Sequence, residues 1–226
     1  MTPPSPPGPC LLPDFLPPEA LAEAREVFDR ARFSEGAATA TDAARAVKRN
    51  LQVDAGDLAS LGRLQRLLLQ AANASERLRA HARPLDLHSP RFARYEAGMG
   101  YGWHVDSPLM GQPPRRTDFA ITVFLDGPEA YEGGDLELRG PGAAAFRPPA
   151  GHAVVYPCDR VHRVAPLRAG TRRVMAAWIH SLVPDAGHRE VLAGLEDVHR
   201  RLDPATPEAT DLQQQIAVLT RRWARP

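Results

Sequence analysis

A chain of 226 residues that is 43% hydrophobic and 24% charged, with a formal net charge of +1, has an ordinary globular composition and can bury roughly 70% of its unfolded surface. The charge balance offers no field for a nucleic-acid backbone, and no apolar run approaches the roughly 18 residues of a membrane span, so neither partner is expected. Two distant cysteines, Cys10 and Cys158, make a poor disulfide framework, and the start MTPPSPPGPC lacks the basic and apolar regions of an export signal, which points to a reducing, cytoplasmic setting.

Residues 1–10 hold five prolines and are expected to be a disordered lead-in. PPEALAEAREVFDRARF (residues 17–33) opens with prolines suited to a first helical turn, and Leu21, Ala24, Val27, Phe28 and Ala31 recur at helical spacing. A second helical stretch is predicted from about Asp57 to His81, with Leu61, Leu64, Leu67 and Leu68 on one face. From Arg91 the texture changes to short runs of Val, Ile, Phe, Tyr and Thr between Gly and Pro clusters. The candidate strands are RFARYEA, YGWHVD, DFAITVFLD, GDLELRG, AAAFRPP, HAVVYP, HRVAPL and RRVMAAWIH. About eight short strands suit a double-sheet jelly roll or a similar barrel.

After Pro184 two helical segments return, GHREVLAGLEDVHRRL and PEATDLQQQIAVLTRRWAR. The expected organisation is α+β: one domain over 11–183 with a jelly-roll sheet mostly within 91–181, flanking N-terminal helices, and a C-terminal helical extension over 184–226. In that extension Val191, Leu192, Leu195, Ile216, Val218 and Leu219 are apolar positions for packing on the sheet or in a homodimer.

His104 and Asp106 in YGWHVD are two apart, so on an extended segment they share a face and form a bidentate arm for a metal. A surface strand or turn carries such a pair by chance as well. A later segment, PPAGHAVVYPCDRVHRVAPLRAGTRR, adds His162, 56 residues after Asp106, and Arg172, ten further on. Cys158 suggests a Cys/His zinc site only if a second cysteine lies nearby, and none does in the sequence. The glycines of EGGDLEL (132–138) lack the following helix of a phosphate loop and suit a turn into a strand.

In this order and spacing, the blocks RYEAGMGYGWHVD, TDFAITVFLDGPEAYEGGDLEL and PPAGHAVVYPCDRVHRVAPLRAGTRRVMAAWIHS resemble the PKHD-type hydroxylases, iron(II)- and 2-oxoglutarate-dependent dioxygenases related to prolyl 4-hydroxylases. AVKRNLQV and the two-helix tail resemble that family too, so the likeness covers nearly the whole chain from residue 11. It implies a double-stranded β-helix with Fe(II) between the sheets, held by His104, Asp106 and His162. Arg172, not Arg173, would anchor 2-oxoglutarate. Two imidazoles and a carboxylate form a facial triad that suits Fe(II) and leaves positions open, and a planar, permanently charged fork suits the far carboxylate of the co-substrate.

Tyr95 either donates its hydroxyl to the co-substrate or packs in the core. Trp178, six residues after Arg172, shares its side of the strand, and His180 shares that parity at the cavity edge. Arg115 and Arg116, in the loop after the H-x-D pair, either meet an acidic substrate or face water. The activity implied is hydroxylation of a peptide or small molecule with O2, releasing succinate and CO2, with L-ascorbate as the family's reductant. The rivals are a non-catalytic 2-oxoglutarate or small-ligand binding protein on the same scaffold and a cupin-like zinc or manganese protein, for which Arg172 would have no task.

Overall fold

The computed structural model describes residues 8–40, 42–140 and 143–225. The Pro-rich lead-in, up to residue 7, lies outside the described residues. A first strand, β1 (Cys10–Leu12), begins within the segment expected to be disordered. Helix α1 (Pro18–Arg30) buries Ala24, Val27 and Phe28 and carries Pro18 in its first turn, where a missing N–H breaks no helical bond. Then come β2 (Phe33–Glu35), α2 (Asp42–Ala46), β3 (Lys48–Arg49) and β4 (Leu51–Val53). Strands of two or three residues are too short to show alternation, and none of these was expected.

The helical stretch expected over 57–81 is two helices, α3 (Leu58–Ala74) and α4 (Glu76–Ala82). Ser75 separates them: its backbone is extended (φ −78°, ψ 102°), and its hydroxyl accepts from the Leu78 N–H, capping α4. Asp57 caps α3 in the same way through the Ser60 N–H.

The eight expected strand segments all form strands. They supply β5 (Pro84–Tyr95) and β6 (Gly100–His104), then, after a small hairpin of β7 (Leu109–Met110) and β8 (Arg115–Arg116), β9 (Phe119–Phe124). Following a short β10 (Tyr131–Gly133) come β11 (Leu136–Leu138), β12 (Ala144–Phe146), β13 (Ala153–Pro157) and β14 (His162–Val164). The last strands are β15 (Leu167–Gly170) and β16 (Arg172–Ser181).

A seven-stranded sheet in the order β1-β13-β9-β16-β5-β4-β2 faces a five-stranded sheet, β12-β11-β14-β6-β3, as a double-stranded β-helix. The larger sheet is buried on both faces, which is why β9 and β13 read as unbroken apolar runs. On one face Ile121, Val155 and Met175 pack against Phe28, Leu64 and Leu68 of the helices. On the other Ala93, Tyr95, Phe124 and Val174 meet Leu136 and Val164 of the smaller sheet. Strand alternation along β16 therefore sends Met175, Ala177 and Ile179 to the helices, and Arg172, Val174 and Trp178 between the sheets.

Helices α5 (Ala186–His199) and α6 (Pro207–Trp223) pack on each other. Leu192 is fully buried, while Val191 and Val218 are half exposed. The Arg225 N–H donates to the Leu182 carbonyl, which ties the end of α6 to the exit of β16. Among the described residues no helix is long and apolar enough to cross a membrane.

Candidate metal centre and active-site cavity

His104 ends β6 and His162 begins β14, and the two are direct partners in the antiparallel ladder. Their rings lie 4.2 Å apart, centroid to centroid. Asp106 lies beyond the end of β6, so strand geometry proper stops at His104. The alternation nevertheless continues: Val105 is half exposed and Asp106 turns inward, its side chain 8% exposed. Its two carboxylate oxygens stand 3.9 Å from His104 Nε2 and 3.8 Å from His162 Nε2. One ligand atom from each of the three residues lies within 4.8 Å of the others.

Each histidine is held in one tautomer. Nδ1 of His104 donates to the Gly102 carbonyl at 2.8 Å, and Nδ1 of His162 to the Arg160 carbonyl at 2.9 Å. That leaves both Nε2 lone pairs pointing at Asp106, the arrangement a metal-binding imidazole needs. The Tyr101 ring stacks on His104 at 3.6 Å, and Tyr156 meets His162 edge-on at 5.0 Å, fixing both planes. Burial, the neighbouring His162 and Lys48 lower the His104 pKa to about 3, so it stays neutral. Burial raises the Asp106 pKa, opposed by His162, the Trp178 indole and Lys48. Asp106 Oδ2 is buried with no hydrogen-bond donor among the described residues. A divalent cation would satisfy that oxygen and both imidazoles at once, so the residues present fit a bound Fe(II).

Arg172 is 1% exposed, and among the described residues none of its three guanidinium nitrogens has a hydrogen-bond partner. Tyr95 and Phe124 flank it, with centroids 5.1 and 5.0 Å from its central carbon. A buried, unpaired guanidinium is costly unless an anion completes it, and its five N–H donors match a carboxylate. Arg173 points the other way, paired with Asp126 at 2.7 Å and Asp29 at 2.7 Å. Tyr95 lines the cavity beside Arg172. Burial raises its pKa against the pull of Arg172 and Asn50, which keeps its hydroxyl protonated.

EGGDLEL makes the turn into β11, and both glycines have positive φ, +74° at Gly133 and +68° at Gly134. A Cβ on Gly134 would stand 2.6 Å from Leu167 Cδ1 and 3.2 Å from Arg172 Cδ, so the glycine is what lets the arginine lie where it does.

Trp178 lines the same cavity, whereas His180 does not. Arg115 and Arg116 bridge to Asp86 and Asp118 and are not part of its wall. Lys48, Asn50, Gln52 and Arg91 are wall residues that the sequence reading passed over. The signal was present: in KRNLQ, polar side chains recur at every second position, which places Lys48, Asn50 and Gln52 on one inward face.

Comparison with known proteins agrees with this geometry. A model of the 2OG-Fe(II) oxygenase superfamily matches residues 90–180. A PKHD-type hydroxylase of Gloeothece citriformis (strain PCC 7424) is 37% identical over 94% of this chain and 98% of its own. Another, of Acidovorax ebreus (strain TPSY), is 41% identical over 89% and 92%. The crystal structure of a Pseudomonas putida prolyl-4-hydroxylase shares the fold, with a TM-score of 0.51 and 21% identity over 77% of this chain and 92% of that one. With near-complete coverage at such identities, and a His-Asp-His cluster between two sheets, this chain belongs to the PKHD-type hydroxylases and is a 2-oxoglutarate-dependent dioxygenase of the iron(II) class.

Proposed function

We propose that His104, Asp106 and His162 hold Fe(II), that Arg172 receives the far carboxylate of 2-oxoglutarate with Tyr95 beside it, and that the enzyme hydroxylates an unactivated carbon of a small molecule or peptide. The observation that carries this is the buried Arg172 guanidinium without a partner, in the same cavity as the buried acceptor Asp106 Oδ2. A metal-only protein has no use for that cation.

Bound iron would supply the activation of O2 that couples loss of CO2 from 2-oxoglutarate, leaving succinate, to oxidation of the substrate carbon. The chain's own residues do the rest. The carbonyls of Gly102 and Arg160 hold the imidazoles in their ligating tautomer. Tyr95 and Phe124 clamp the guanidinium so that its N–H groups are preset for a carboxylate. Ala120, Leu136 and Val164 dry the space between. L-ascorbate enters only as a reductant that keeps the metal ferrous, a place given to it by family resemblance.

The test is succinate release from 2-oxoglutarate by iron-loaded protein after oxygen is admitted, run against His104→Ala, Asp106→Ala and His162→Ala. Iron-dependent succinate in the wild type and its loss in each folded variant is the expected result. Turnover that survives in all three would overturn the ligand assignment.

A further inference from the structure

Two more cations, Lys48 and Arg91, line the cavity. Along β5 the inward residues run from Tyr95, opposite Arg172, through Ala93 to Arg91, opposite Ala176. Four strand residues put Arg91 about 13 Å from the Arg172 end. Lys48, on β3 across the cavity, is 9% exposed. Its ammonium donates to Thr39 Oγ1 at 2.9 Å and lies 5.2 Å from the centre of the Tyr101 ring. Arg91 gives Nη1 to the carbonyls of Ser89 and Pro90 at 3.1 and 3.0 Å and lies 6.0 Å from the Trp178 ring. Among the described residues neither cation is bridged to a carboxylate, and Asp106 is the single carboxylate lining the cavity.

The charges then decide the matter. If the dioxygenase reading holds, iron(II), Asp106, Arg172 and doubly ionised 2-oxoglutarate cancel among themselves. Lys48 and Arg91 are then left as two positive charges in excess, in a space that burial has partly dried. Burial and then the charge of Arg91 lower the Lys48 pKa to about 8, against the opposing pull of Asp106. Two half-desolvated like charges facing one cavity carry a cost that their bonds to a hydroxyl and two carbonyls offset only in part, and that a bound anion would relieve.

We propose that Lys48 and Arg91 form the recognition site for a carboxylate on the primary substrate, one carboxylate oxygen to each cation, and so place the oxidised carbon over the metal centre. This rests on the dioxygenase reading above and names the substrate class, a carboxylate-bearing molecule held at the end of the cavity opposite the co-substrate.

The test uses the holoprotein with Fe(II) and saturating 2-oxoglutarate, without oxygen, titrated calorimetrically with N-acetyl amino acids and with the matching N-acetyl amino acid amides. The acids are expected to bind on the order of 30-fold more tightly than their amides, and Lys48→Met or Arg91→Gln to bring the acids down to the level of the amides. Arg91→Lys, which keeps the charge, is expected to retain most of the preference. The wild-type comparison of acid with amide needs no variant to fold. Equal binding of acid and amide, or no binding by any member of the series, overturns the site. Succinate release on admitting oxygen to the wild type separates the two ideas. Succinate without acid preference removes the carboxylate site and leaves the dioxygenase, and acid preference without succinate does the reverse.

Discussion

Tyr95 and Arg172 are register partners across the β5–β16 ladder, with the ring of one 5.1 Å from the guanidinium carbon of the other. A cross-strand pair on the inner face fixes both side chains before any ligand arrives, and the Tyr95 and Phe124 rings flank the guanidinium while its N–H groups have no hydrogen-bond partner among the described residues. The cation is thus prepaid in position and unsatisfied in hydrogen bonding, which is the state a carboxylate-binding residue needs.

Replacing Arg172 by lysine keeps the charge and loses the fork. The KM for 2-oxoglutarate is expected to rise on the order of 10-fold or more, read by succinate release. Arg172→Met should go further in the opposite direction for stability. Without co-substrate the variant is expected to melt above the wild type, because a buried charge with no hydrogen-bond partner has been removed. Added 2-oxoglutarate should then raise the melting temperature of the wild type and not that of Arg172→Met. A co-substrate-induced rise in the methionine variant would show that another residue is the anchor.

Gly134→Ala tests the same pocket from the side. The new methyl meets Leu167 and the Arg172 side chain in a backbone conformation that disfavours any Cβ. The guanidinium is expected to shift, raising the 2-oxoglutarate KM more than it changes kcat. Gly98, also at positive φ but with open space around it, is the comparison: Gly98→Ala bears the backbone strain alone and should leave that KM unaltered.

Arg173 makes the contrast with its neighbour measurable. Asp126 accepts from the Arg173 backbone N–H at 2.7 Å and from its guanidinium through Nε and Nη2. The pair is largely buried, at 18% and 5% exposure. Asp126→Ala is expected to cost roughly 3 kcal/mol in urea unfolding, since it leaves the largely buried Arg173 guanidinium with the exposed Asp29 as its remaining carboxylate partner. Arg168→Ala removes a bridge of 3.9 Å between side chains that are both 71% exposed, and should change stability by less than about 0.5 kcal/mol.

Stability should fall on mild acidification. His81 is partly buried against Phe119, its Nε2 has no hydrogen-bond partner among the described residues, and burial followed by the charge of Arg189 lowers its pKa below 6.5. His88 is lowered for the same leading reason. The unfolded chain therefore takes up these protons first, near pH 6.5, and the folded protein only further down. The stability contributed is present above pH 6.5 and lost as pH falls from there through the folded pKa. His81→Phe is expected to flatten the profile in that window. An unchanged slope in urea unfolding between pH 7 and pH 5 would mean that His81 is protonated as readily in the folded state as in the unfolded one.

The sequence by itself carried the fold class and the candidate triad. Eight strand segments were visible because period-two or unbroken apolar runs must face a core, and His104, Asp106, His162 and Arg172 stood out because their spacing matched a family whose chemistry explains each. Strand parity put Arg172 and Arg173 on opposite faces, and the family resemblance chose Arg172 of the two. Ser75 was hidden inside one apolar helical pattern, because a cap is a local hydrogen bond that leaves the periodicity on either side intact. The strands of two or three residues near the N-terminus were hidden for want of length.

Only the tertiary structure decided what lines the cavity. Lys48, Asn50 and Gln52 sit more than fifty residues before His104, and although their period-two spacing puts them on one face, its polarity is that of an exposed face, so only the packing shows that it is buried. Arg91, two residues from Ala93 on one strand, becomes a partner of Lys48 only when β3 of the smaller sheet is laid over β5 of the larger. Charge has meaning through distance and desolvation, and both are set by the packing of the two sheets.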